Sequence, residues 1–300
     1  MIYIQLAGGM ANQLFQWAHG RALQIQNPGL SIAWDARMVV RPAGAGYQLA
    51  WLLDEESVIT LSSASSAGWR LVQAVSKGLS DKMSTRLPAV PPGGRMRSTS
   101  LADLTSFSNH QLHHDNYWVK GYLQETSALL PHKVVLAEEL QRALDKVISP
   151  ELAPKLGESY AVAHVRRGDY ASVPRNLERL GVCAPSYYEA GFSLLKSQSE
   201  RLIIVSDDPK WAYENVAILW PWPEKVEVSR SSSQFDDFAL IAHSSAAILA
   251  NSTYSWWAAF VGSPTKIISP FPWFDMDGDQ GPALEDWVLL NKRTGDLVTN

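Results

Sequence analysis

Arg166 and Arg167 stand side by side at the end of an apolar run, in AVAHVRRGDYASV from Ala161. Adjacent cations repel each other, so each needs its own carboxylate or the pair holds an anionic ligand. Guanidinium groups are planar donors that grip a diphosphate through paired hydrogen bonds. Three other polar clusters also follow apolar runs: GGMANQ at 8–13, SDD at 206–208 and NSTYSWW at 251–257. GGMAN is a glycine-rich turn before a helix, where backbone N–H groups have room to approach a phosphate. It is neither a dinucleotide fingerprint nor a P-loop, because the G-x-G-x-x-G and G-K-[ST] spacings are absent. NSTYSWW opens a helix with Ser252 and Thr253, whose hydroxyls join the open N–H groups of a first turn. SDD invites a metal reading, but Asp207 or Asp208 is better placed to cap the helix that starts near Pro209. Asn251-Ser252-Thr253 also matches a glycosylation acceptor, discounted because no secretion signal precedes it. Together these residue types describe a nucleotide diphosphate held by arginine and a helix N-terminus.

The elements that must position them follow from pattern. The chain has 300 residues, 46% hydrophobic and 19% charged, with a formal net charge of −4. This is an ordinary globular composition, and the length suggests two domains. The net charge gives no general attraction to nucleic acid or anionic lipid, so any anion site is local. Cys183 is the only cysteine, which excludes an internal disulfide and a cysteine-based zinc cluster. No apolar run is long enough to span a bilayer, and MIYIQLAGGMANQ lacks the basic start of a signal peptide. A reducing, cytoplasmic location is expected. MIYIQLA, SIAWD (31–35) and YWVKGYL (117–123) read as strands, with a helix over NQLFQWAHGRALQIQ and another over 132–148. His19 falls inside the first of these helices and is expected to fill space. Loops are expected at 62–68 and 87–100, and SPELAPKLGES (149–159) is the expected domain boundary. Beyond it, strands at 160–165, 201–206, 225–229, 246–251 and 265–269 alternate with helices near 185–197, 208–215, 234–244 and 252–261. Such alternation predicts a parallel sheet covered on both faces, with ligands beyond the carboxyl ends of its strands.

The ordered set of motifs resembles the family 11 glycosyltransferases, the inverting α-1,2-fucosyltransferases that use GDP-fucose. GGMANQLFQWAHGRAL resembles the family's N-terminal segment, WVKGYLQE its W-x-x-G-Y-F-Q-S stretch, and AHVRRGDY its H-x-R-R-G-D-Y motif. VSDDPKW and ILANSTYSWWAAFVG are similar to its S-D-D-x-x-W and N-S-T-F-S-W-W blocks. Any single piece is weak, whereas the ordered set covers nearly the whole chain. Ala11 stands where the family has glycine, Trp17 where it has tyrosine, and Tyr254 where it has phenylalanine.

The resemblance implies an α/β, GT-B-type fold: two Rossmann-like, doubly wound domains facing a central cleft. Residues 1–150 would form the acceptor-side domain and residues 151–300 the GDP-sugar-binding domain. Arg166 would be the catalytic residue, binding the diphosphate and stabilising the departing GDP. His164 would lie beside it, Arg167 would share the diphosphate or form a structural ion pair with Asp169 or another carboxylate, and Ser252, Thr253 and Tyr254 would line the phosphate and fucose. Asn12 would reach the donor from the first domain, and Asp237, with Asp236 adjacent, would contact guanine. The implied reaction moves L-fucose to the 2-hydroxyl of a galactose-containing glycan, with no metal or other cofactor. Cell-surface polysaccharide synthesis and peripheral association with the inner face of the membrane go with that reading. Two rivals are transfer of another GDP-sugar, such as GDP-L-galactose, and a non-enzymatic carbohydrate-binding protein. A pocket that packs a methyl group rejects an added hydroxyl only weakly. A lectin has no need of a diphosphate site.

Overall fold

A computed structural model of the chain describes residues 1–40, 46–53, 57–59, 96–99, 116–275 and 281–298. It forms two compact units, Met1–Leu123 and Gln124–Asn300. In the first, β1 (Ile2–Gln5), β2 (Ile32–Asp35), β3 (Val58–Ile59), β4 (Met96–Thr99) and β5 (Asn116–Val119) form a parallel sheet. The strand order is β3-β2-β1-β5-β4. Helix α1 (Met10–Gln26) follows β1 and buries Leu14, Phe15, Trp17, Ala18 and Ala22. Spacings of three and four residues place that apolar set on one side of a 3.6-residue repeat.

Three differences from the sequence expectation concern this unit. β4 lies inside the expected 87–100 loop, where MRST pairs in parallel register with β5. The strand expected over 117–123 stops at Val119, and Gly121 (φ 127°) and Leu123 (φ 52°) leave the extended region beyond it. The third is His19, which is 1% exposed and does more than fill space, since its Nε2 hydrogen-bonds the Leu123 carbonyl at 2.9 Å. The loop expected at 62–68 falls outside the described residues.

The second unit starts with α2 (Lys133–Leu144), whose Leu136, Leu140, Ala143 and Leu144 are buried at helical spacing. Six parallel strands follow: β6 (Ala161–Val165), β7 (Leu202–Ser206), β8 (Val226–Val228), β9 (Ala246–Ile248), β10 (Lys266–Phe271) and β11 (Val288–Asn291). Between β6 and β7 lie α3 (Gly168–Ser172), α4 (Pro174–Leu180) and α5 (Pro185–Leu195). Helix α6 (Pro209–Asn215) follows β7, α7 (Gln234–Ala242) precedes β9, and α8 (Thr253–Gly262) follows it. The expected boundary at 149–159 lies within this unit because α2 packs against α8. β11 and the short helices α3 and α4 were absent from the sequence expectation.

The strand order, β11-β10-β9-β6-β7-β8, is the doubly wound order. Counted from β6 as the first strand, it runs 3-2-1-4-5-6 from the β8 edge. β6 is buried at all five positions, as a central parallel strand covered on both faces must be. The direction of winding reverses between β6 and β9. Connections leave to opposite sides there, so a crevice opens beyond the carboxyl ends of those two strands.

Beyond β11, Lys292 is fully buried. Its ammonium donates to the carbonyls of Leu180 (2.6 Å) and Trp273 (3.3 Å) and pairs with Asp275 at 2.8 Å. A buried charge persists only when it is paired and hydrogen-bonded, so these partners hold the ends of α4, β10 and β11 together. Among the described residues, no helix is long and apolar enough to cross a membrane.

Among the described glycines, the closest approach to backbone is at Gly262, where an added Cβ would lie 1.6 Å from the Ala242 carbonyl oxygen. Backbone cannot yield as a flexible side chain can. Gly262→Ala is expected to separate α7 from α8 and lower stability by about 3 kcal/mol, read by denaturant unfolding.

Candidate active site

The crevice between β6 and β9 gathers most of the residues singled out in the sequence. Register sets the first contacts. Val165 pairs with Ser206, so the next residue on each chain, Arg166 and Asp207, emerges side by side. Asp207 Oδ2 pairs with Arg166 Nη1 at 2.8 Å, while Oδ1 accepts the Arg167 backbone N–H at 2.8 Å. The other Arg166 terminal nitrogen pairs with Asp169, whose carboxylate also accepts from Asn176 Nδ2 at 3.2 Å. Arg167 turns to Asp208 (3.4 Å) and lays its guanidinium over the Trp211 ring at 3.9 Å. Asp169 therefore partners Arg166, because the first turn of α3 carries it back over that side chain, and the ion pair expected of Arg167 forms with another carboxylate, Asp208.

The turn is tight. A Cβ on Gly168 would lie 2.5 Å from Asp207 Oδ2, so the glycine after the arginines is a steric requirement of this carboxylate. Asp208 caps α6 by accepting the Trp211 N–H at 3.2 Å, and its own N–H donates to Ser206 Oγ at 2.9 Å. The capping role expected of the SDD segment thus belongs to Asp208. Asp207 holds the arginine turn, a role its sequence position did not signal.

His164, two residues before Arg166, is 5% exposed, and its Nδ1 is buried without a hydrogen-bond partner. Its ring lies 5.7 Å from that of Tyr254, on the first turn of α8. The Tyr254 ring also meets Phe238 edge-on at 5.6 Å, and its hydroxyl donates to the Gln234 carbonyl, tying the starts of α7 and α8 together. Ser252 caps α8 by accepting the Tyr254 N–H at 3.4 Å, and Thr253 begins that helix. Asn251 is 2% exposed, and its amide donates to the carbonyls of Leu180 (2.7 Å) and Trp273 (3.1 Å). That settles against a glycosylation acceptor. Cys183 is buried too, its thiol pushed up to about 12 chiefly by burial, so it stays protonated and inert.

The two aspartates of α7 differ. Asp236 is buried and accepts from the Ser149 N–H (2.8 Å) and hydroxyl (2.7 Å). Asp237 is half-buried and accepts from the Ser229 hydroxyl at 2.5 Å, while burial raises its carboxyl above the usual range.

Asn12 belongs to the other unit, on the first turn of α1. The anion site expected in the GGMAN turn is largely taken up internally. Met10 N–H donates to Gln48 Oε1 at 2.7 Å, and the N–H groups of Asn12 and Gln13 return to the Gly9 carbonyl at 3.0 Å. Among the described residues, no group of three or more His, Cys, Asp or Glu side chains is placed to hold a metal ion.

The sequence profile described as Glycosyl transferase family 11 matches residues 96–291. The chain belongs to this family. It is 25% identical to an Escherichia coli alpha-1,2-colitosyltransferase over 97% of this chain and 99% of that protein. It is also 25% identical to the galactoside alpha-(1,2)-fucosyltransferase 1 of Oryctolagus cuniculus, over 52% of this chain and 44% of that one. Among solved structures, a variant of Arabidopsis thaliana FUT1 in complex with GDP superposes with a TM-score of 0.51 at 11% identity. That match covers 93% of this chain and 72% of the other. The fold is thus that of the GT-B glycosyltransferases, with parallel α/β sheets in both units.

Burial, reinforced by the charge of Arg166, pushes the His164 imidazolium down to about 3. The folded protein keeps this ring neutral at pH values where an unfolded chain protonates it near 6.5. The unfolded state therefore binds the extra proton between roughly pH 6.5 and 3, and stability is lost as pH falls through that window. Thermal melts on acidification should show this decline, and His164→Gln should make it shallower. Equal slopes in the two proteins would assign the acid sensitivity to other groups.

Proposed function

We propose that this chain transfers L-fucose from GDP-fucose to the 2-hydroxyl of a galactose-type acceptor, with inversion and without a metal. The observation that carries the reading is the arginine turn at the β6–β9 crossover, beside the capped start of α8. A diphosphate in that crevice would meet the Arg166 guanidinium, the Ser252 and Thr253 hydroxyls and the positive end of a ten-residue helix. The α-1,2 linkage in the names of both relatives supports the regiochemistry.

In the reaction, the acceptor oxygen attacks the anomeric carbon from the face opposite the diphosphate, and the carbon–oxygen bond to phosphate breaks. Negative charge grows on the leaving oxygen. A fixed guanidinium aimed at that oxygen stabilises the transition state more than the ground state. Asp207 holds the arginine from behind, while Asp169, on the exposed side, is the partner a diphosphate displaces. Arg167 adds charge from the stacked position over Trp211. His164 stays neutral, so it contributes shape and hydrogen bonding without repelling Arg166. Asp237 is the better guanine contact of the two aspartates, because Asp236 is engaged by both donors of Ser149.

Metal independence rests on the same partners. Both Asp207 oxygens serve the arginine turn, and Asp208 caps α6 and meets Arg167. Turnover in excess EDTA should equal turnover without it. Loss on chelation, with recovery on adding manganese or magnesium, would return the two aspartates to consideration as ligands.

A second donor is favoured by the end-to-end similarity to the colitosyltransferase. Colitose is fucose lacking its 3-hydroxyl, so the two donors differ by one polar group. Side-by-side assays of GDP-fucose and GDP-colitose decide between them through kcat/KM. With the preferred donor, Arg166→Ala should lower transfer at least about a hundredfold in a folded protein, from loss of leaving-group stabilisation. Arg166→Lys should recover little, because a point charge lacks the planar fork. Near-native transfer by the alanine variant would remove Arg166 from the mechanism.

A further inference from the structure

Tyr122 is 53% exposed, whereas Tyr117 and Trp118 on the preceding strand are 1% and 7% exposed. The backbone around it is held in an uncommon shape. Gly121 has φ 127°, and Leu123, with a full side chain, has φ 52° in the left-handed region. Residues other than glycine, asparagine and aspartate rarely adopt that region, and such outliers persist only where their surroundings enforce them. Two buried side chains of α1 do so here. Gln16 Nε2 donates to the Gly121 carbonyl at 2.8 Å, and His19 Nε2 meets the Leu123 carbonyl at 2.9 Å. The residues flanking Tyr122 are thus clamped from the core while its own ring stands in water.

The ring also has a defined neighbourhood. Gly8 has φ 73°, and a Cβ added there would lie 3.0 Å from Tyr122 Cε1 and 2.6 Å from Asn12 Nδ2. Gly8, Asn12 and Tyr122 therefore share one surface beyond the carboxyl ends of β1 and β5. Those strands are adjacent in the first sheet. Open parallel sheets take ligands beyond the carboxyl ends of their strands. A packing residue needs no such clamp and would be turned inward.

We propose that Tyr122, flanked by Gly8 and Asn12, is the carbohydrate subsite of the first unit and takes the pyranose ring of the acceptor. The C–H face of a galactose-type ring is apolar with partial positive charge, and it complements the negative face of an aromatic ring. Its hydroxyl rim suits a neighbouring amide. A flat, clamped ring also loses little freedom on binding. The assignment of this sugar as acceptor rests on the function proposed above.

Saturation-transfer-difference NMR with methyl β-galactoside, together with the acceptor KM, tests the proposal on the full chain. The wild type should give a signal from the galactoside ring protons, which Tyr122→Ala and Tyr122→Leu lose and Tyr122→Phe keeps. The alanine variant should raise acceptor KM about tenfold with the donor KM little changed. The proposal is overturned if the wild type gives no signal, if alanine binds like wild type, or if phenylalanine falls as far as alanine. Leucine keeps the bulk, so it stands in if the alanine variant does not fold. The NMR measurement needs neither donor nor turnover, so its outcome is separate from that of the GDP-fucose reading.

Discussion

The rest of the donor-side arrangement depends on one carboxylate, Asp207, placed between two adjacent cations. Its oxygens are divided: one pairs with the Arg166 guanidinium, and the other accepts the Arg167 backbone N–H. That division sets the path of the chain. It bends the residues after β6 toward the end of β7, leaves no room for a side chain at Gly168, and sends Arg167 toward Asp208 and Trp211. Without it, two like charges at a sheet edge would splay apart, since their repulsion is little screened beside protein of low dielectric. With it, Arg166 is aimed from behind and keeps an exchangeable partner, Asp169, on its open side.

The two units solve a similar problem with different residues. In the second, ionised pairs brace the strand ends, and Lys292 and Asn251 hold the carbonyls of Leu180 and Trp273 from within. In the first, amides and an imidazole do most of this work, beside the Asp35–Arg37 ion pair at the end of β2. Gln13 donates to the Gly8 and Gly46 carbonyls, both at 2.8 Å, while Gln16 accepts the Ala7 N–H and reaches Gly121. Neutral groups suit a turn whose backbone must be fixed without adding charge. Each of these side chains is buried and satisfied, and breaking one such bond leaves an unpaired polar group in the core.

Much of the second sheet was legible because parallel strands covered on both faces read as uninterrupted apolar runs, as in AVAHV and LIIVS. The polar clusters at their ends were legible for the same reason, since a strand that stops abruptly marks where the crevice begins. β4 was not, because MRST lacks the apolar pattern of a strand and follows a segment dense in proline and glycine. β11 was missed because, among the described residues, no helix separates it from β10. Which aspartate meets which arginine was also hidden. Asp169 lies three residues from Arg166 and two from Arg167, but the answer depends on a helical turn and on a register forty residues away. The glutamines of α1 carried no signal, since polar residues inside a helical pattern normally face water, and His19 was expected to fill space without a hint of its bond to Leu123.

The tryptophans have a consequence of an optical kind. Trp17, Trp34 and Trp118 lie buried in the first unit, and Trp220, Trp256, Trp257, Trp273 and Trp287 in the second. Trp256 and Trp257 are 5.0 Å apart and Trp287 is 6.0 Å from Trp256, close enough for excitation to pass among them and merge into one emission. Trp211 is half-buried, and the Arg167 cation rests on its face, as Lys120 rests on that of the buried Trp118. A fixed positive charge there shifts the indole excited state, so any ligand that draws Arg167 away changes the colour of a single lamp. The arginine turn thereby carries its own fluorophore, with no label attached.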